Sequence, residues 1–492
     1  MFTTLIAWAW TLFLLAAAYP LTAQLIPDAG IGLRAATALA LGAGGVSLIM
    51  LWEGLLGIAY TPLGSAVPYL IIMGISYFIA ERVEKRGGKR EQIPPFSLRS
   101  SASLRYLCLL LPIAATIAFN AGYWAFHRDD AINIYQPQAA EIARTRALIP
   151  LTGADSLYRA YPMHMQLLYA HAYMVSGWEN DYLAQFVSAL LALACLAAAY
   201  ALAERLQAGS GGIAAFLLAT TPTFGAWASS GYVDLPTALP YTLCAVFALR
   251  LWDKRHMTDA ALAGAMLGLA AWTKNAALVG VPLLGLWLLL AWSQRRIALR
   301  QIVIAGFACA AVAAPYYLRN VVGAGFIIPE TAWTDQAQRT LDSALIFVIH
   351  PEIYGVTGWL IIGGIGFALA KHLRRPDTEN KNGFLTVLWW TLPFFAVWWA
   401  FASYDPRFLL VILPMLCALS GAFAARLWES LSARLGTRRR YAYAALVIVA
   451  LALTMRTVWF SVEYKREILR APFMSDADKR AILGREIIPP ES

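Results

Sequence analysis

Charged side chains are scarce in this sequence: Asp, Glu, Lys and Arg make up 14% of its 492 residues, against 60% for hydrophobic ones. Soluble domains carry about 25% charged and about 45–50% apolar residues, so both departures point to a chain solvated largely by lipid. Cysteine is as sparse. Cys108, Cys195, Cys244, Cys309 and Cys417 all fall in apolar runs, and none stands at metal-ligand spacing. That excludes a disulfide framework and a zinc site and leaves them as small core residues. A Gly-rich phosphate loop, a nucleophile elbow and a His-Glu-x-x-His helix are also missing, so none of those chemistries has its signature here. No Lys or Arg precedes the apolar stretch 1–24; without a positive n-region it reads as a retained transmembrane helix, not a signal peptide.

Long apolar runs are what the sequence has instead. A spanning helix needs roughly 20 mostly apolar residues. The runs 4–26, 33–58, 66–82, 105–125, 181–203, 212–229, 236–252, 259–273, 276–293, 301–318, 353–371, 384–402, 407–427 and 441–460 meet that requirement, about fourteen spans when short or tilted helices are allowed for. The net charge of +10 gathers in short connections. Arg82 to Arg105, Lys254-Arg255, Arg295 to Arg300, Lys371 to Lys381 and Arg434 to Arg440 form five clusters, which the positive-inside rule places in the cytoplasm. Each pair of clusters is separated by an even number of spans, so the assignment is self-consistent. It leaves 126–180, 230–235, the turn at 274, 319–352, 403–406 and 461–492 outside. No basic stripe interleaves with exposed aromatics, so nucleic acid is excluded as a partner.

The expectation is an all-α, polytopic transmembrane bundle. An N-terminal three-helix unit (1–82) is followed by a basic cytoplasmic linker (83–104), a central module (105–318), C-terminal helices (319–460) and an outer tail (461–492). In the outer loop 126–180, Ala131 to Arg146 carries Ile132, Tyr135, Ala139, Ile142 and Ala143 at helical spacing, an amphipathic helix suited to the membrane surface. The stretch 163–177 is too short and polar to span and is expected to be interfacial or re-entrant.

Ionisable residues near membrane depth are where chemistry is sought. His127-Arg128-Asp129-Asp130 follows a span directly. Its carboxylates suit a general base or a divalent cation, and equally a helix start that favours negative charge. Asp234, before Pro236, is a ligand candidate or an N-cap. Lys274, between two short apolar runs, suits a phosphate or snorkels to headgroups. Arg319, in Pro315-Tyr316-Tyr317-Leu318-Arg319-Asn320, and Arg407, in Tyr404-Asp405-Pro406-Arg407-Phe408, suit bidentate phosphate contacts or pairing with Asp405 or another outer carboxylate. The lone histidines His164, His171 and His350 are structural by default.

In chain order these segments resemble the GT-C-fold glycosyltransferases, in particular the branch of protein O-mannosyltransferases and the lipid A aminoarabinose transferase. Asp129-Asp130-Ala131 with Tyr135, Leu267-Gly268-Leu269-Ala270 leading to Thr273-Lys274, the 315–320 segment, and Asp405-Pro406-Arg407-Phe408 with Pro414 carry the resemblance over residues 105–427. The departures are the extra N-terminal unit and an Asp-Asp pair in the first loop where Asp-Glu is expected. The resemblance implies transfer of a sugar from a polyprenyl-phosphate donor to a glycan, lipid or protein acceptor, at the outer face of a bacterial inner membrane. Asp129 or Asp130 would be the base, attack would invert configuration, and Lys274, Arg319 and Arg407 would bind the donor phosphate. Tyr135, Asp234, Tyr404 and His350 would be further substrate contacts. No metal site is implied, although Asp129 and Asp130 leave room for a divalent cation. Two rivals remain: an O-antigen polymerase or ligase using a lipid-diphosphate glycan, for which loop 319–352 with Arg319, Arg339 and His350 gives thin support, and a secondary transporter. A transporter would place ionisable groups at the membrane midplane, whereas here they gather at span ends.

Overall fold

The computed structural model describes residues 2–86, 101–151, 156–328, 335–374 and 381–484. Among them every regular element is a helix, as lipid demands of a chain that must satisfy its own backbone groups. Ten helices are long and apolar enough to cross a membrane: Thr4–Leu25, Ile31–Leu55, Pro62–Arg82, Asp181–Leu206, Asp234–Lys254, Asn275–Ser293, Leu299–Ala324, Pro351–Leu373, Asn382–Phe401 and Leu413–Ser461. The last holds two of the expected runs, Leu413–Leu435 and Arg439–Ser461. Cys108–Tyr123 and Gly211–Thr220 are shorter apolar helices.

Several expected runs are broken where the sequence breaks them. The 212–229 run is two helices, Gly211–Thr220 and Pro222–Trp227, because Pro222 has no N–H to continue the first and opens the second. The 407–427 run begins with a tight 3-10 turn, Pro406–Val411. Cys108 is exposed, unlike the four buried cysteines, so it faces outward and is not a core residue. Most of the expected linker 83–104 lies outside the described residues, as does the end of the tail beyond 484.

Two ends of the bundle emerge from the contacts. At one end Arg250, 3% exposed, bonds Asp259 at 2.7 Å and both oxygens of Asp28 at 2.9 and 3.0 Å. Lys254 joins Asp28 there. This network fastens the turn between the first two N-terminal spans to the central module. Deeper in, Trp272 Nε1 donates to Ser47 at 3.2 Å, so the N-terminal unit packs directly on the central helices. Small residues allow the closest approach there: a Cβ on Gly264 would run into the Ala305 carbonyl, the small-residue contact that membrane helices use to pack tightly. At the other end lie the expected outer segments.

The first outer loop is a layered cap. A π-turn, Ala131–Tyr135, continues as the helix Gln136–Thr145. The expected amphipathic helix is therefore present, but its apolar face (Ala139, Ile142) is buried in protein against the helix His164–Ser176. That second helix is buried from His164 to Met174. Its polar residues exclude a spanning role, and burial under the loop removes it from the lipid interface where the sequence places it.

Candidate active site

Four of the segments expected outside converge on one cluster of charge. Arg407, 12% exposed at its side chain, lies 3.0 Å from Asp130, 3.1 Å from Asp405 and 3.6 Å from Asp234. Lys274 lies 2.5 Å from the other oxygen of Asp234. Each side chain is delivered by a local break. Asp405 caps the 3-10 turn by accepting from the Arg407 N–H at 2.9 Å, which fixes where the guanidinium leaves the backbone. Lys274 is the extended residue between the helix Met257–Thr273 and the turn Asn275–Val279. Asp234 opens the helix Asp234–Lys254 without capping it by its side chain. The loop before it turns at Gly231, where φ is +74° and a Cβ would strike the Phe126 ring. Only glycine fits there.

Aromatic rings wall the cluster. Arg407 stacks over Tyr232 at 4.5 Å and Trp227 at 5.2 Å, and the Lys274 ammonium stands 3.9 Å from the Phe408 ring centre. Such contacts favour cations over exposed water. Tyr232 accepts the Asp130 N–H at 2.8 Å, and Tyr135 meets Tyr232 edge-on at 5.9 Å. Burial pushes the Asp130 carboxyl above its ordinary value, Arg407 and Lys274 pull it down, and Asp234 and Asp129 push it up again. Three carboxylates against two cations leave the cluster one negative charge in excess when all are ionised.

The two first-loop aspartates diverge. Asp130 faces Arg407, whereas Asp129 accepts from Asn133 at 2.5 Å on the exposed side. Among the described residues no group of three or more His, Cys, Asp or Glu is arranged to hold a metal. A divalent cation at Asp130 would have to compete with a guanidinium already in contact.

Of the expected residues, the structure brings together Asp130, Asp234, Lys274 and Arg407, with Tyr135 adjoining. Tyr404 packs edge-on against Phe408 at 5.7 Å at the rim. Arg319 and His350 are engaged elsewhere. Arg319 donates to the carbonyls of Ile149 and Arg159, while Tyr316 donates to Tyr161 O and Asn320 to Ala160 O, so the 315–320 segment grips the backbone of the first loop. His350 bonds Asp342 at 2.9 Å and Glu352 at 2.6 Å on the surface, and those two hydrogen bonds hold its pKa above the ordinary value. Sequence reasoning missed Trp227 and Tyr232 as walls of the site; an aromatic pair flanking a very short outer loop was the available signal.

Comparison with known proteins bears on this geometry. Residues 162–318 match the family described as Dolichyl-phosphate-mannose-protein mannosyltransferase. No curated protein matches the sequence. Among solved structures, ArnT from Cupriavidus metallidurans in the apo state aligns with a TM-score of 0.53 at 17% identity, covering 78% of this chain and 77% of ArnT. The same protein bound to undecaprenyl phosphate gives 0.50 at 18%, covering 74% and 72%. The archaeal oligosaccharyltransferase AglB from Archaeoglobus fulgidus, in complex with an inhibitory peptide and a dolichol-phosphate, gives 0.48 at 14%, covering 78% of this chain; the chain spans 60% of the AglB length. At these identities the likeness to ArnT is one of fold, and the chain has a multi-pass, all-helical GT-C architecture.

Proposed function

We propose that this protein moves a sugar from a polyprenyl-phosphate carrier to an acceptor hydroxyl, with inversion, at the outer face of the membrane; in a bacterial cell that is the inner membrane. The observation that carries the reading is the convergence of Asp130, Asp234, Lys274, Asp405 and Arg407, drawn from four outer segments under the first loop. The match to a family named for a dolichyl-phosphate sugar and the fold shared with an undecaprenyl-phosphate-binding protein support a lipid carrier. The leaving group is then a lipid phosphate, and Lys274 and Arg407 are the cations placed to meet the charge it develops.

In-line displacement sets the incoming oxygen and the leaving phosphate on opposite sides of the anomeric carbon. A base in direct contact with the phosphate-binding guanidinium is on the wrong side. Asp130 touches Arg407, so its role is to hold that cation; Asp129, turned away toward Asn133, is the base. The acceptor is a glycan, lipid or protein hydroxyl. The transporter alternative asks for ionisable groups at mid-membrane, whereas the buried clusters occupy opposite ends of the helix Asp234–Lys254. The polymerase alternative leans on Arg319, Arg339 and His350, which meet the Ile149 and Arg159 carbonyls, the Ala400 carbonyl, and Asp342 with Glu352, respectively, instead of the cluster.

The test uses the full chain in nanodiscs with tritiated undecaprenyl-phosphate mannose or glucose and a cell-envelope extract as the acceptor source. Asp129→Asn is expected to lower transfer by about 10²-fold or more, in the range of losing a general base, with donor KM little changed. Asp130→Asn is expected to raise donor KM as well. Full transfer by both variants would overturn the mechanism.

A further inference from the structure

The segment after the last span is not a loose end. Residues 461–484 fold back over the outer face and fasten at two places, one on each side of the first outer loop. At the near anchor, Asn120 donates to Ser461 O at 2.6 Å, and the Glu463 carboxylate lies 3.4 Å from both His127 and Arg128. Tyr464 packs against Trp124 at 4.9 Å and against His127 at 5.6 Å. Its φ is +47°, a left-handed conformation uncommon outside glycine, held here by the rings on either side. At the far anchor, Arg480 reaches the buried Asp181 at 3.4 Å, Asp476 joins Tyr182, and Lys479 stands 3.8 Å from the Tyr123 ring centre.

Glu463 is 11% exposed at its side chain; one oxygen accepts from Arg128 at 3.4 Å, and the other faces His127 Nε2 at 3.4 Å, an ion pair when that imidazole is protonated. Both partners immediately precede Asp129. Arg128 also stacks on Trp227 at 5.5 Å, and Arg407 stacks on that same ring at 5.2 Å. A continuous line of contacts therefore runs from the tail, through Arg128 and Trp227, to the cation that faces Asp130. Fixing a side chain this way also fixes the backbone that carries the next residue.

We propose that Glu463 is a positioning residue: by holding His127 and Arg128 it sets the direction in which Asp129 leaves the loop, so the C-terminal segment completes the catalytic geometry. This rests on the transfer reading for its kinetic arm only. Misplacing a catalytic group by an ångström costs about 10²-fold in rate, whereas the donor-binding cations Arg407 and Lys274 are held directly by Asp130, Asp234 and Asp405.

The experiment compares full-length wild type with Glu463→Gln, Glu463→Asp and Arg480→Gln in nanodiscs, by amide hydrogen exchange and by transfer from tritiated undecaprenyl-phosphate mannose. Glu463→Gln is expected to raise exchange over residues 126–135 and to lower kcat by about 10- to 100-fold, with donor KM within about threefold. Glu463→Asp is expected to restore part of both. Arg480→Gln is expected to loosen only 476–484 and keep kcat within about twofold. Unchanged exchange over 126–135 in Glu463→Gln overturns the proposal, as does a loss that falls on KM alone. If the wild type transfers no sugar, the transfer reading fails by itself, and the exchange result still decides the role of Glu463.

Discussion

Replacing Arg407 with Gln removes the group that three carboxylates share. Asp234, 1% exposed, keeps Lys274, but Asp130 and Asp405, at 27% and 28% exposed side chains, lose the only ion pairs shown for them. Breaking a buried charged set from one side costs about 3–5 kcal/mol because the survivors stay unpaired. The lower end applies here, since Lys274 remains and two of the carboxylates reach water. Losing a cation aimed at the leaving phosphate costs roughly 2.7–4 kcal/mol in the transition state, or about 10²–10³-fold in rate. Arg407→Lys keeps the charge but offers a single point where the guanidinium touches three partners, so it should recover part of the loss. The assay is donor turnover in nanodiscs with melting followed in parallel. A purified, folded Arg407→Gln protein with turnover and donor KM within about threefold of wild type would refute the placement of the donor phosphate at this cluster.

Lys274→Gln should weaken undecaprenyl phosphate binding, measured by scintillation proximity, by about tenfold or more; unchanged affinity would remove Lys274 from the phosphate site. Arg250→Gln should destabilise the protein by about 3–5 kcal/mol, seen as a lower melting temperature, because Asp259 and Asp28 lose their shared partner at the opposite end of the bundle; an unchanged melt would mean that network is dispensable. The His350 contact should depend on pH. Its pKa is raised in the folded chain by Asp342 and Glu352, so its contribution to stability is complete below the ordinary histidine value and disappears as pH rises through the raised one. The melting difference between wild type and His350→Ala should therefore be largest near about pH 5.5 and absent near about pH 8.5, and a flat difference would count against the pairing.

The spans were legible because lipid imposes a length and a composition that can be read locally. Lys and Arg clusters sorted the connections into two sets, and the cluster of charge draws all its members from one of them. The structure then gathers Asp130, Lys274 and Arg407, three residues that motif order had already assembled, and joins to them Asp234, which read more readily as an N-cap. What stayed hidden was pairing at long range. Asp405 is a local partner for Arg407, but nothing local shows that Asp130 and Asp234 join it, or that Arg319 meets main-chain carbonyls. Asp234 read as an N-cap because the lysine that claims it is 40 residues away. The tail carried no periodic apolar signal, and its partners on the first loop and its flanks lie 294 or more residues earlier.

The grip of Tyr316, Arg319 and Asn320 on the first loop falls on carbonyl oxygens of residues 149, 159, 160 and 161. Every amino acid brings that oxygen, proline included. The side chains of Arg159 and Tyr161, unlike those of the buried Ile149 and Ala160, can thus be exchanged while the fastening persists. A scaffold tied by its main chain lets the exposed side chains it presents drift from one protein to the next without loosening the tie.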